Sequence, residues 1–240
     1  MRISTSILLI LVLIPGISGC DRQREEKRQP PAVVENYDGI IVAMGDSLTA
    51  GLGVSEDLAY PALLSARLEE RGINYRVING GISGETSSGA LERTDWILSF
   101  KPDIVILETG ANDGLRGIEP QLIEKNIEKI VSTFKKNRVT VVLCGMKMVR
   151  NLGADYTAAF ASVYPKVARR QGVIFMPFFL AGVAAVPALN QPDTIHPNVA
   201  GYEKIVDNLL PYVLEAIARH KSGEASGKDK SPMDSRARDE

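Results

Sequence analysis

Gly39-Ile40-Ile41-Val42-Ala43-Met44-Gly45-Asp46-Ser47-Leu48 is the stretch on which the fold turns. Its first six residues form a short apolar run with no polar alternation, the pattern of a strand covered on both faces. The Gly-Asp-Ser that follows ends the run at a turn and leaves three small or polar residues at the strand's carboxyl end. In sheets built of such strands, ligands bind outside the carboxyl ends.

Strand and helix patterns alternate downstream of this stretch. A helical pattern runs from about Leu58 to Arg71 and stops at Gly72, a residue suited to the position after a helix. Tyr75-Arg76-Val77-Ile78 reads as a second strand, a helix is expected near 86–99, and Asp103-Ile104-Val105-Ile106-Leu107 reads as a third strand. Pro120 opens a helix in which Leu122, Ile123, Ile127, Ile130, Val131 and Phe134 make an apolar stripe. Val139–Cys144 is the fourth strand, a helix covers 156–171, and Val173-Ile174-Phe175 is the fifth strand. A last helix runs from about Pro197 to Arg219, with a kink expected at Pro211. This order predicts a single-domain three-layer α/β/α fold with a mostly parallel five-stranded sheet, joined by right-handed crossovers.

The ends of the chain read differently. Ile7–Ile14 is an unbroken apolar run stopped by Pro15-Gly16, too short to span a bilayer and shaped like the core of a signal peptide. Ile17-Ser18-Gly19-Cys20 resembles the lipobox of bacterial lipoproteins, which implies a signal peptide over 1–19 and a lipid-modified Cys20 at the mature N-terminus. The alternatives are an ordinary secreted protein cleaved nearby and a hydrophobic N-terminal strand. Residues 20–38, rich in charge and carrying Pro30-Pro31, have linker composition. Residues 221–240 mix five basic and five acidic side chains and read as a disordered tail. The domain proper is 39–220. Its 18 basic and 19 acidic residues give no surplus of cations for nucleic acid. Two His and two Cys in the whole chain exclude a three-His zinc site and a disulfide scaffold.

Three Gly-containing turns follow the first three strands: Gly45-Asp46-Ser47-Leu48, Gly80-Gly81-Ile82-Ser83-Gly84, and Thr109-Gly110-Ala111-Asn112-Asp113-Gly114. Asp193-Thr194-Ile195-His196-Pro197 precedes the last helix. A serine, an asparagine, glycine N–H groups and an Asp/His pair at one sheet edge are the parts that acyl transfer needs. Taken singly, each has a plainer reading. Ser47 also fits a helix N-cap, Asn112 a turn, Gly84 a left-handed backbone, and Asp193/His196 a solvated loop pair. Asp46 reads as structural, satisfying backbone donors beside Ser47.

Gly45-Asp46-Ser47-Leu48, Gly84, Asn112, and Asp193 with His196, in that order, resemble the blocks of the GDSL, or SGNH, hydrolases over about 39–218. Ile82–Thr86, Gly110–Gly117, Tyr164-Pro165-Lys166 and Ile195–Asn198 are similar to the bacterial periplasmic thioesterase/lysophospholipase (arylesterase) branch. The resemblance implies a flavodoxin-like sheet, a nucleophile at Ser47, a base at His196 oriented by Asp193, and an oxyanion hole from Ser47, Gly84 and Asn112. It implies no cofactor and no metal. A membrane-tethered, most simply monomeric, esterase in the bacterial cell envelope is expected, acting on small-molecule acyl esters or thioesters: lysophospholipids, aryl esters or short-to-medium acyl esters. The alternatives are a carbohydrate O-deacetylase of the same superfamily and a non-catalytic envelope-binding lipoprotein. P-loop, dinucleotide-binding and Gly-x-Ser-x-Gly signatures all fail at named positions: Leu52, Asn79 and Thr49 stand where Lys, Gly and Gly are required. Cys144 reads as strand packing and His220 as a surface residue. The apolar stretch Leu180–Leu189 reads either as a buried helix or as an acyl-chain wall, and Met146–Gly153 as the wall opposite.

Overall fold

Strand β1 (Gly39–Gly45) is buried at every residue except Ile40, as its unbroken apolar sequence requires. The computed structural model describes residues 36–148 and 152–228; the signal peptide and Cys20 lie outside the described residues. Four further strands join β1: β2 (Tyr75–Gly81), β3 (Ile104–Glu108), β4 (Thr140–Cys144) and β5 (Ile174–Met176). They pair in the order β2-β1-β3-β4-β5, and every pairing is parallel. The order in which strands are added therefore reverses between β1 and β3, whose connections leave their carboxyl ends in two different turns. Gly45-Asp46-Ser47 leaves one of them and Thr109–Asn112 the other. The site's address follows from the topology.

Eight helices surround the sheet among the described residues: α1 (Ser47–Ala50), α2 (Tyr60–Glu69), α3 (Ser87–Glu92), α4 (Thr94–Ser99), α5 (Ala111–Leu115), α6 (Pro120–Lys136), α7 (Ala154–Gln171) and α8 (Val199–Lys228). α2 and α8 pack together on one face, while α6 packs with α3, α4 and α7 on the other. Both faces are covered, which makes a three-layer α/β/α sandwich. None of the described helices is long and apolar enough to cross a membrane.

Several boundaries differ from the expectation. The helix expected over 86–99 breaks at Arg93, whose backbone (φ −100°, ψ 13°) leaves helical geometry between α3 and α4. Thr94 Oγ1 then donates to the Leu91 carbonyl, taking up an acceptor the break exposes. Leu122 points outward at 45% exposure instead of joining the buried stripe of Ile123, Ile127, Ile130, Val131 and Phe134; it sits one residue, about 100° of helix, to the side of that stripe. Pro211 lies inside α8, and the helix continues on both sides of it. The helix also runs on to Lys228, past the point at Lys221 where a tail was expected. His220 is not a surface residue. Its side chain is only 11% exposed, stands edge-on to Tyr75, and places Nε2 3.7 Å from Asp103.

Candidate active site

Gly45 ends β1 where side chains crowd. A Cβ there would lie 2.5 Å from Glu108 Oε2 and 2.1 Å from Thr49 Oγ1, so only glycine lets the strand end approach β3 this closely. Asp46 then caps α1, accepting the Leu48 N–H on Oδ1 at 3.0 Å. That corrects the cap reading of Ser47. With Asp46 in the capping position, Ser47 becomes the first helical residue and its hydroxyl is available for another partner.

That partner is His196. Ser47 Oγ lies 2.9 Å from His196 Nε2, and His196 Nδ1 lies 2.6 Å from Asp193 Oδ2. The loop carrying both is closed on itself: Gln191 donates its N–H to the His196 carbonyl, and Asn190 bridges Pro197. Gln191 Nε2 also reaches the Leu52 carbonyl at 2.7 Å, tying the loop to the segment after α1. Thr194, between the pair, takes φ +63°, a conformation costly for a β-branched residue and often kept where geometry matters. Asp193 Oδ1 accepts the N–H groups of Ile195 and His196 at 2.9 and 3.0 Å. The His196 backbone N–H, then its ring, then the Ile195 N–H hold the Asp193 carboxyl down to about 2.

Ser47, Gly84, Asn112 and His196 line one cavity of about 460 Å³, and Asp193 stands behind His196. Gly84 has φ +80° and its carbonyl accepts Arg116 Nη2 at 3.0 Å. Asn112 is the second residue of α5, and its Nδ2 donates to Asp46 Oδ2 at 3.1 Å. Leu48, Leu115, Met146, Phe178 and Leu180 make most of the cavity apolar, with two alanines, Ala184 and Ala185, at its edge. The Leu180–Leu189 stretch is thus mostly turn rather than helix, with a short 3₁₀ piece at Pro187–Leu189. From the opposite segment Met146, Lys147 and Met148 contribute, and 149–151 lie outside the described residues.

Sequence reasoning did not single out Glu108, Arg93 or Glu85. Glu108 is fully buried; Thr49 Oγ1 donates to its Oε2 at 2.9 Å and the Asp46 N–H at 3.2 Å. Burial, with the neighbouring Asp46 charge, pushes its carboxyl well above the usual carboxylate range. A lone acid closing the run Ile104-Val105-Ile106-Leu107 was the available signal. Arg93 pairs with Glu85 and donates to the Gly45 carbonyl at 3.2 Å, bracing the β1 turn against the residue after Gly84. Asp113 accepts both the N–H and the hydroxyl of Ser87, at 2.7 and 2.6 Å, and so locks α5 to α3. Cys144 is buried in β4, and burial followed by the Glu108 charge pushes its thiol well up, which suits inert packing.

Residues 43–204 match the GDSL-like lipase/acylhydrolase family. The chain belongs to this family and is an enzyme of the acyl-hydrolase class. Esterase TesA of Pseudomonas aeruginosa is 38% identical over 172 residues, covering 71% of this chain and 86% of that protein. Thioesterase 1/protease 1/lysophospholipase L1 of Escherichia coli K12 is 35% identical over 183 residues, 76% of this chain and 86% of the other. The crystal structure of the psychrotrophic esterase EstA from Pseudoalteromonas sp., inhibited by monoethylphosphonate, is similar with TM-score 0.72 at 30% identity. It covers 75% of this chain and all of that one.

Proposed function

We propose that the enzyme hydrolyses acyl esters or thioesters through Ser47, His196 and Asp193. The observation that carries this reading is the Ser47–His196–Asp193 relay, at 2.9 and 2.6 Å, opening on a mostly apolar cavity. In the reaction, Ser47 Oγ attacks the acyl carbonyl as its proton passes to His196 Nε2. Asp193 holds the Nδ1–H tautomer and stabilises the imidazolium. The carbonyl π electrons move onto oxygen, and that oxyanion is met by the N–H groups of Ser47 and Gly84 and the Asn112 carboxamide. When the intermediate collapses, the alcohol or thiol leaves with the proton from His196. Water, deprotonated by the same imidazole, then releases the acid from the acyl-serine and restores Ser47.

The cavity's apolar walls favour an acyl chain over a carbohydrate, and the relatives named as esterase and thioesterase/lysophospholipase support ester and thioester bonds as the substrate class. A lipid on Cys20 tethers the enzyme to a bacterial envelope membrane, the linker over 20–38 giving it reach. Hydrolysis of p-nitrophenyl esters by Ser47→Ala and His196→Ala tests the reading. Losses of at least about 10³ in kcat, with native circular dichroism, are expected; wild-type rates in either variant overturn it.

A further inference from the structure

The acyl-transfer mechanism leaves a buried carboxylate beside the nucleophile without a task. Resting on that mechanism, we infer that Asp46 is a positioning residue that holds the Asn112 carboxamide in the orientation an oxyanion donor needs, with Glu108 anchoring Asp46 from the end of β3.

An asparagine side chain ends in a torsion with two nearly equivalent settings, one presenting N–H and the other presenting oxygen. Only the first stabilises an oxyanion; the second repels it. Asp46 removes the choice. Its carboxylate only accepts, so the Asn112 atom 3.1 Å from Oδ2 is the nitrogen. One amide hydrogen is spent there, and the second is left for the cavity that Asn112 lines.

Asp46 is itself held from several sides. Leu48 N–H fixes Oδ1, and the Asp46 N–H rests on Glu108 Oε2, the same oxygen that accepts Thr49 Oγ1. The absence of a side chain on Gly45 is what admits Glu108 to this position. The main chain of Asn112 is secured separately by the Asp113–Ser87 clamp. Backbone and side chain of the donor thus have independent supports.

Asp46 titrates near the working range. Burial pushes its carboxyl up to about 6, against the lowering effects of the Leu48 N–H, Glu108, Asn112 and His196. The other ionisable groups around it are Glu108 from β3, whose carboxyl burial and the Asp46 charge push well above the usual range, and the buried Tyr164 and Tyr202, pushed up by burial and the same two carboxylates. Tyr60 and Cys144 stand against Glu108 and are pushed up chiefly by burial. Arg93 is paired with Glu85 and reaches this turn at the Gly45 carbonyl. Protonation therefore weakens the acceptor that holds Asn112, and kcat is expected to fall as pH drops through that range.

The test compares kcat and KM for p-nitrophenyl butyrate between pH 5 and 9 in the full-length enzyme, Asp46→Asn, Asn112→Ala and the double variant. Asparagine keeps the cap on Leu48 but sets one carboxamide donor against another. Asp46→Asn is expected to lower kcat by about 10–10² with KM within about twofold, and the double variant to be no worse than Asn112→Ala. Wild-type kcat in Asp46→Asn, or losses that multiply in the double variant, overturn the inference. Should Asp46→Asn not fold, Asp46→Ser takes its place: serine still caps α1 but is too short to hold the Asn112 carboxamide. The same loss of kcat and the same absence of a further loss in the double variant are then expected, and wild-type kcat or multiplying losses overturn the inference. Ser47→Ala separates the levels. If it stays active, the acyl-transfer reading fails; if it is dead while Asp46→Asn is wild type, only the role of Asp46 fails.

Discussion

Asp193 orients His196 from a side chain that is 45% exposed, while the imidazole it holds is only 15% exposed. The carboxylate is kept in place by its own turn rather than by burial, since Oδ1 accepts two consecutive N–H groups and Oδ2 is left for the ring. Water screens its charge, so orientation outweighs electrostatics here. Asp193→Ala should lower kcat by about 10²–10⁴, and Asp193→Asn by at least as much, because its amide faces Nδ1 as a donor and favours the wrong tautomer. Full rescue by asparagine in steady-state kinetics would mean that Asp193 only shapes the loop.

The cavity makes a prediction about chain length. Rates on p-nitrophenyl esters should rise from acetyl towards medium chains, since Leu48, Leu115, Phe178 and Leu180 offer apolar wall. Ala184→Phe, at the cavity edge, should shift the preferred chain shorter and leave acetate hydrolysis within about threefold. A steady fall beyond acetyl would favour a small-ester or carbohydrate deacetylase.

Gly84 combines a left-handed backbone with open space. A Cβ there meets nothing nearer than Arg116 Nη2 at 4.0 Å, so Gly84→Ala carries only the cost of φ +80°, about 1–2 kcal/mol. Relief of that strain re-aims the N–H. Thermal unfolding should fall by a few degrees, while kcat drops by about tenfold or more with KM little changed. Equal kcat would remove this N–H from the oxyanion hole.

Glu108 predicts a stability that depends on pH. Its folded pKa lies above the ordinary carboxylate value of 4.5, so the folded state binds the proton more tightly than the unfolded chain. Its contribution is present at acid pH and is lost as pH rises above that value. Glu108→Gln cannot ionise and lacks this loss. The difference in melting temperature, variant minus wild type, should therefore grow from pH 5 to pH 8 by on the order of a few degrees. A difference that shrinks would show that Glu108 is held as the anion.

The parallel sheet was legible because β1 and β3 are apolar at almost every position, and Ser47, Gly84, Asn112 and His196 were legible because each falls in a polar or glycine turn at one sheet edge. The supports were harder to read. Asp46 sits in the same turn, yet its work for Asn112 depends on a contact 66 residues away that no local pattern encodes. Arg93 breaks a helix whose apolar spacing runs straight through it, because its pairing with Glu85 and the Gly45 carbonyl overrides local preference. His220 is drawn inward by Asp103 and Tyr75, both far away in sequence. Where a residue's role lies in a long-range partner, composition and spacing are silent.

The central claim is that Ser47 is activated by His196. Labelling the folded enzyme with a serine-reactive phosphonate, followed by peptide mass spectrometry, tests it most directly. The account predicts stoichiometric modification on the peptide bearing Ser47 and its loss in His196→Ala. Modification elsewhere, or undiminished labelling of Ser47 without His196, would contradict it.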